Sequence, residues 1–273
     1  MKASVIVTTY NRPDALSSVL QGLAAQNDKD FEVLVADDGS RPDTARLVGE
    51  MARDFPVRLV HIWQEDIGFR AGAARNRACA QASGKYIIFI DGDCVPLPGF
   101  VNRHKKLAEP GWFVAGNRIL LSEGFTAQAL ALALPLHKRN RFQWLLDRWL
   151  GRINRWLPLL DVRDGPWRKR SPQRWQGART CNLAIWREDF VKVNGFDEVY
   201  AGWGHEDADL AVRLIRQGIR RKDGRFATAV MHLWHRENDR SQLAENVQRL
   251  EQILDNQRTR SEQGLSQYLQ LGA

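Results

Sequence analysis

Tyr86-Ile87-Ile88-Phe89-Ile90-Asp91-Gly92-Asp93 is the stretch on which the fold turns. Five consecutive apolar residues without alternation predict a strand covered on both faces, as in a parallel sheet between helices. Two carboxylates follow where that strand ends. Open α/β sheets bind ligands beyond the C-terminal ends of their strands, and carboxylates there can hold a hard divalent cation against a diphosphate. An Asp-x-Asp turn is also a common solvated turn, so the triplet needs support from elsewhere in the chain.

Upstream, strand and helix signals alternate. Residues 4–8 form a β-branched run, and Arg12-Pro13-Asp14 opens a helix reaching about residue 25. A second strand over 31–36 ends in Asp37-Asp38-Gly39-Ser40 and is followed by a helix over 42–53. A third strand over 57–62 and a helix over 71–82 lead to Tyr86. Such βαβ units predict an α/β, Rossmann-like fold with a mostly parallel sheet flanked by helices. Right-handed crossovers then set residues 8–11, 37–40 and 91–93 along one sheet edge. Downstream the pattern predicts a strand over 114–121, a helix over 125–136 and a strand over 181–186. It then predicts a helix over 206–217 ended by Gly218, a short strand over 227–231, and a polar helical tail over 239–269.

The 273 residues are 44% apolar and 26% charged, enough for one large domain with an elaborated second half. No run approaches the ~20 apolar residues that span a bilayer. A strand signal beginning at residue 4 leaves no room for a secretory leader. Cys79, Cys94 and Cys181 lack zinc spacing and read as reduced thiols, so a cytoplasmic location is expected.

The net charge of +8 is concentrated. Between His137 and Trp175 lie eleven Lys/Arg against three Asp, which is the whole excess, together with five of the ten tryptophans. Residues 142–150 and 153–157 place Trp and Leu near helical spacing among arginines. A basic amphipathic helix with Trp anchors suits an anionic membrane surface. A charge-coated helix over the core is the competing reading. No nucleic-acid recognition motif accompanies the charge, so no nucleic-acid partner is expected.

Four further clusters carry chemistry. Asp37-Asp38-Gly39-Ser40 serves either as an Asx turn before a helix or as a carboxylate facing an imide N–H or a ribose hydroxyl. Arg75, three residues past Gly72, is either a solvated helix charge or a phosphate or pyrimidine contact. Gly202-Trp203-Gly204-His205-Glu206-Asp207 is the most specific string: capping explains the acids at a helix start, but not a tryptophan between glycines. An indole face under a sugar ring and an ionised Asp acting as general base explain both. His232 and His235 are either packed side chains or, with Asp93, a mixed N,O ligand set that suits Mn²⁺ better than Ca²⁺.

Together these motifs resemble the family 2 glycosyltransferases of GT-A fold, from about residue 3 to about residue 240 with the middle unmatched. Val7-Thr8-Thr9-Tyr10-Asn11-Arg12 is similar to that family's opening strand and turn, Asp37-Asp38-Gly39-Ser40 to its nucleotide-base motif, and Asp91-Gly92-Asp93 to its metal motif. From Asn182-Leu183-Ala184 through Asn194-Gly195-Phe196-Asp197-Glu198 to Asp207, the chain resembles bacterial chondroitin-polymerase domains and animal β-1,4-galactosyltransferases.

The resemblance implies a nucleotide pocket of Thr8, Tyr10, Asn11, Arg12, Asp38, Arg75 and Asp91, with Asp38 on uracil and Asp91 near the ribose and the ion. It implies Asp93, His235 and His232 as ligands of Mn²⁺ or Mg²⁺. Asp207 corresponds to the inverting base, with Glu206, Trp203 and His205 at the acceptor. Ala208 replaces a carboxylate that galactosyltransferases use on the acceptor, a departure from a GlcNAc acceptor site, and His205 stands where glycine is usual, which would narrow or re-aim the acceptor pocket.

The expected organisation is a nucleotide-sugar-binding half (1–118), the basic Trp-rich insertion (119–176), an acceptor-binding and catalytic half (177–240) and a helical tail (241–273). The expected activity is inverting, metal-dependent transfer from a nucleotide sugar, UDP-linked, to a lipid-linked or cell-surface glycan at the inner membrane face. A sugar nucleotidyltransferase would want a Gly-rich phosphate loop after the first strand, which Asn11-Arg12-Pro13 does not supply. A non-catalytic membrane-surface adaptor would not need Asp38, Asp93, Glu206 and Asp207, all of which are present.

Overall fold

The computed structural model describes residues 1–160, 162, 164–237 and 239–269. Asp161 and Arg163 of the basic segment, Asn238, and residues 270–273 of the expected tail lie outside the described residues. The first strand, β1 (Ala3–Thr9), runs parallel between β2 (Phe31–Asp37) and β4 (Tyr86–Asp91), and β3 (Leu59–Trp63) flanks β2. Crossovers are made by α1 (Pro13–Ala24), α2 (Pro42–Ala52) and α3 (Ala71–Ala80). Beyond β4 the sheet turns antiparallel through β8 (Asn182–Trp186) and continues with β6 (Trp112–Ala115) and β9 (Arg220–Asp223). The order is β3-β2-β1-β4-β8-β6-β9. A second sheet stacks β5 (Cys94–Pro96), β10 (Val230–His232) and β7 (Arg118–Leu120).

The unalternated strands are buried on both faces, as their composition requires. Val5, Val33 and Ile88 pack on one side with Leu16 and Leu20 of α1. Ile6, Leu34 and Phe89 pack on the other with Ala74 and Ala78 of α3 and with Phe190 and Phe196. Each of these buried Val, Leu, Ile and Phe side chains contributes about 1.5–3 kcal/mol by leaving water. The small residues of α3 bring its backbone close to the sheet, which is how Arg75 and Asn76 come to be buried.

The remaining helices are α4 (Phe100–Leu107), α5 (Glu123–Ala131), α6 (Arg141–Trp149), α7 (Arg187–Lys192), α8 (Glu206–Arg216), α9 (Leu243–Asp255) and α10 (Ser266–Leu269). A buried ion pair anchors α8: Arg213 holds Asp209 at 2.5 Å and donates to the carbonyls of Val193 and Gly195 at 2.7 and 2.9 Å. Leu250 and Ile253 of α9 close over Ala208 on the same helix.

Several expected boundaries move. The strand expected over 114–121 is two strands in two sheets, β6 and β7. A Cβ at Gly116 would overlap the Asn182 side chain, and the Gly116 amide donates to Asn182 O at 2.9 Å, so the chain turns there. The helix expected over 125–136 begins at Glu123, capped by Ser122 Oγ accepting from Phe125 N at 3.3 Å. It stops at Ala131 because Ala133 takes φ 46° and Pro135 follows. The third strand begins two residues later than expected, and the His-bearing strand is Val230–His232 rather than 227–231. Among the described residues of 137–175, only Arg141–Trp149 forms an α-helix; Ile153 instead bridges Leu121. Among the described residues no helix is long and apolar enough to cross a membrane.

Candidate active site

Strand register sets the site. Thr8 lies beside Asp91, and Thr9 beside Asp37, so the ends of β1, β2 and β4 fall on one line. The amides of Gly92 and Asp38 donate to Thr8 O and Thr9 O at 2.7 and 3.0 Å, carrying the three turns outward together. Asp37 is structural: it accepts from Ser40 N at 2.8 Å and meets His61 Nε2 at 2.7 Å. Gly39 has φ 93°, and a Cβ there would lie 2.5 Å from Asp66 Cα, so the turn tolerates no side chain.

Asp38 is buried and accepts from Gln64 Nε2 at 2.6 Å and Arg70 N at 2.7 Å. Burial pushes its carboxyl up to about 6 against those two hydrogen bonds. Each oxygen keeps a second lone pair for a ligand N–H. Tyr10 is exposed on the rim and donates to Asp66 at 3.0 Å. Asn11 ties the loop, its amide on Ser40 Oγ at 2.8 Å and its side chain accepting from Arg41 N at 2.9 Å. Arg12 turns back to Asp14 at 2.9 Å.

Arg75 joins the two halves of the chain. Its Nε donates to Thr8 Oγ1 at 2.9 Å, Nη2 to Asp91 Oδ1 at 3.1 Å and Nη1 to Glu206 Oε1 at 3.2 Å. Burial works against its charge, but Asp91, Glu206 and Asp207 outweigh it and raise its pKa. The Asp91 carboxyl is raised, first by burial and then by Asp93, against the pull of Arg75.

Asp93 meets the His pair because β10 pairs antiparallel with β5, setting His232 opposite Cys94, and Leu233 N donates to Asp93 O at 2.8 Å. His232 Nε2 lies 3.7 Å from Asp93 Oδ1, and His235 Nε2 lies 3.3 Å from Oδ2. Asp93, Cys94 and His232 bring one donor atom each within 4.8 Å of one another. Two imidazole nitrogens converging on one carboxylate make a borderline donor set that fits Mn²⁺, with Mg²⁺ a poorer match.

Glu206 and Asp207 open α8, preceded by His205 at φ 72°. That left-handed backbone is the physical reason a glycine suits this position. Burial, then the neighbouring Glu206 charge, raises half-buried Asp207 to about 7, with Arg75 and Arg179 pulling the other way. Trp203 is exposed between Gly202 and Gly204, both at positive φ, with the Arg240 guanidinium 4.9 Å from its ring.

The structure thus gathers Thr8, Arg75, Asp91, Glu206 and Asp207 at one centre, and Asp93, His232 and His235 at a second joined to it by Gly92. Asn11 and Arg12 are engaged within the protein. Sequence reading did not single out Gln64, Arg70 or Asp66. Their available signal was position, since the third parallel strand must end at the same edge.

A model of the family described as glycosyl transferase family 2 matches residues 4–155, and one described as the N-terminal domain of galactosyltransferase matches residues 168–236. The chain is 31% identical over 239 residues to a validoxylamine A glucosyltransferase of Streptomyces hygroscopicus subsp. jinggangensis, covering 79% of this chain and 52% of the relative. It is 32% identical over 124 residues to a GalNAc(5)-diNAcBac-PP-undecaprenol beta-1,3-glucosyltransferase of Campylobacter jejuni subsp. jejuni, covering 45% of this chain and 40% of the relative. The chain therefore spans about half the length of these curated relatives. A mannosyltransferase of Pyrobaculum calidifontis solved with GDP-Man and Mn²⁺ shares the fold at TM-score 0.57 and 18% identity, over 86% of this chain and 57% of that one. A family model spanning more than half the sequence, on a sheet whose strand ends carry the acids its motifs lead one to expect, decides the question of descent: the chain belongs to glycosyl transferase family 2, built on the GT-A fold.

Proposed function

We propose that the chain transfers a sugar from a nucleotide sugar, UDP-linked, to a hydroxyl of a lipid-linked or cell-surface glycan, with inversion at the anomeric carbon. The observation that carries this reading is Arg75, which ties Asp91 at a strand end to Glu206, beside Asp207 on α8. Residues 1–118 bind the donor, with Asp38 accepting the uracil imide N–H and Asp91 near the ribose. Residues 177–240 bind the acceptor, with Trp203 under the sugar and Glu206 and His205 beside it; residues 119–176 are the insertion that contacts membrane or acceptor, and 241–273 are a helical tail.

Asp93, His235 and His232 would hold Mn²⁺ or Mg²⁺, which when bound neutralises the leaving diphosphate. Asp207 takes the proton from the acceptor hydroxyl, and that oxygen forms the new bond to the anomeric carbon in line with the leaving group. The nucleoside diphosphate departs with the electron pair, and no covalent glycosyl-enzyme forms. A carboxylate raised to about 7 is matched to proton abstraction near neutral pH. The solved relative with GDP-Man and Mn²⁺, and the undecaprenol-linked acceptor in the name of the Campylobacter relative, support this choice of cofactor and acceptor class. For residues 137–175 the partner we propose is an anionic membrane at its cytoplasmic face.

A panel of UDP-, GDP- and CDP-sugars, read by thermal stabilisation and hydrolysis with and without Mn²⁺, tests the reading. The expected result is metal-dependent stabilisation by a UDP-sugar. Indifference to every donor in the presence of metal would overturn it.

A further inference from the structure

The apolar stripe of α6 does not face the core. On α6, Trp144 and Asp147 face inward and are buried, while the opposite face displays Phe142, Leu145, Leu146 and Trp149, continued by Leu150 and Leu157. Phe142 is 83% exposed and Trp149 81%, the reverse of an ordinary surface helix. The spacing i, i+3, i+4, i+7 makes them one unbroken stripe.

The charge around the stripe is of one sign. Across residues 131–160 the only acid is Asp147, and it is buried between Arg139 at 2.6 Å and Arg152 at 3.1 Å. Lys138, Arg141, Arg148 and Arg155 are exposed and pair with no acid among the described residues. A second copy of the same patch would set like charges against one another, and a nucleic acid would leave the large apolar side chains wet. A bilayer interface with anionic headgroups satisfies both halves of the pattern.

From this charge complementarity we infer that α6 lies flat in the interfacial layer of an anionic membrane, Phe142 and Trp149 entering the acyl boundary and the four cations meeting headgroup phosphates. The inference rests on the membrane-partner reading above and names the face that docks. It also has a consequence for the site. The chain leaving α6 is stitched to β7, with Asn154 N donating to Leu120 O at 3.0 Å and Ser122 N to Arg152 O at 2.8 Å. In turn β7 pairs with β10, His232 lying opposite Leu120. The docking element is therefore fixed to the strand that carries His232, so an acceptor held in the same bilayer is presented at a set height.

The test is co-sedimentation of the whole chain with vesicles of phosphatidylcholine containing roughly one third phosphatidylglycerol, against phosphatidylcholine alone. The expected result is binding to the anionic vesicles alone, weakened by salt. Phe142→Ser/Trp149→Ser lowers that binding at least about tenfold, and Arg141→Gln/Arg148→Gln removes the preference for anionic lipid. Both variants keep the wild-type response to nucleotide sugar, because none of these residues touches the site. Equal partitioning to both vesicles, no binding, or binding untouched by Phe142→Ser/Trp149→Ser overturns the inference. So does self-association in sedimentation velocity that the same variant abolishes, which would mean a second copy covers the stripe. A chain that binds anionic vesicles but responds to no donor keeps the docking face and sinks the transfer reading; the converse sinks the docking face alone.

Discussion

Arg75 Nη1 lies 3.2 Å from Glu206 Oε1, a contact across 131 positions of sequence. It is the direct polar link between the strand-end acids and the start of α8. Arg75→Met leaves Asp91 and Glu206 facing one another without a cation. Because both carboxylates retain some exposure, we expect a stability loss of about 2–3 kcal/mol, below the full cost of a buried orphaned charge. Arg75→Lys keeps the charge but cannot reach Thr8, Asp91 and Glu206 at once, and is expected to recover stability without recovering donor binding. Chemical denaturation and UDP titration of both variants check this.

On the proposed mechanism, Asp207 sets the pH dependence. As a base it works ionised, so kcat/KM should climb with pH and level off above about 7. The Glu206 charge is part of what raises it, so Glu206→Gln should move the rising limb to lower pH while reducing overall activity. A limb that stays in place would remove Asp207 from the role.

Glu32 offers a separate test of stability. Burial alone would raise its carboxyl, but hydrogen bonds from Ser4, the Ser83 amide and Arg58 prevail and hold it at about 2. A lowered pKa means stability that is complete above the ordinary value of 4.5 and is lost as pH falls from there through about 2. With Lys2 and Arg58 partly solvated, the contribution is on the order of 2 kcal/mol. Glu32→Gln should therefore cost that much at neutral pH and almost nothing at the acid end, measured by denaturant midpoints across the range.

The proposed metal ligands predict a linked loss. Asp93→Ala and His235→Ala should each weaken Mn²⁺-dependent UDP binding by roughly 10–100-fold while leaving metal-free binding unchanged. Calorimetric titrations with and without Mn²⁺ separate the two.

Much of this arrangement was legible in the sequence, for identifiable reasons. The run from Tyr86 to Ile90 is buried on both faces, and such strands announce themselves by composition. Parallel register then forces Thr8, Asp37 and Asp91 to one edge, whatever the loops do. Gly202-Trp203-Gly204 read as an opened loop because two positive-φ positions need glycine, and the structure has both. What stayed hidden depends on distant partners. Gly116 breaks a continuous apolar run only because Asn182 packs against it. Gln64 and Arg70 matter only because Asp38 points at them. The outward stripe of α6 could not be told from an inward one, since periodicity gives the face of a helix and not its direction.

The most direct measurement of the account is Asp207→Asn, assayed for UDP binding and for sugar transfer on the same preparation. Removing the base alone should leave the UDP dissociation constant within about twofold and cut transfer by about 10²–10⁴-fold. Transfer at the wild-type rate in that variant would contradict it.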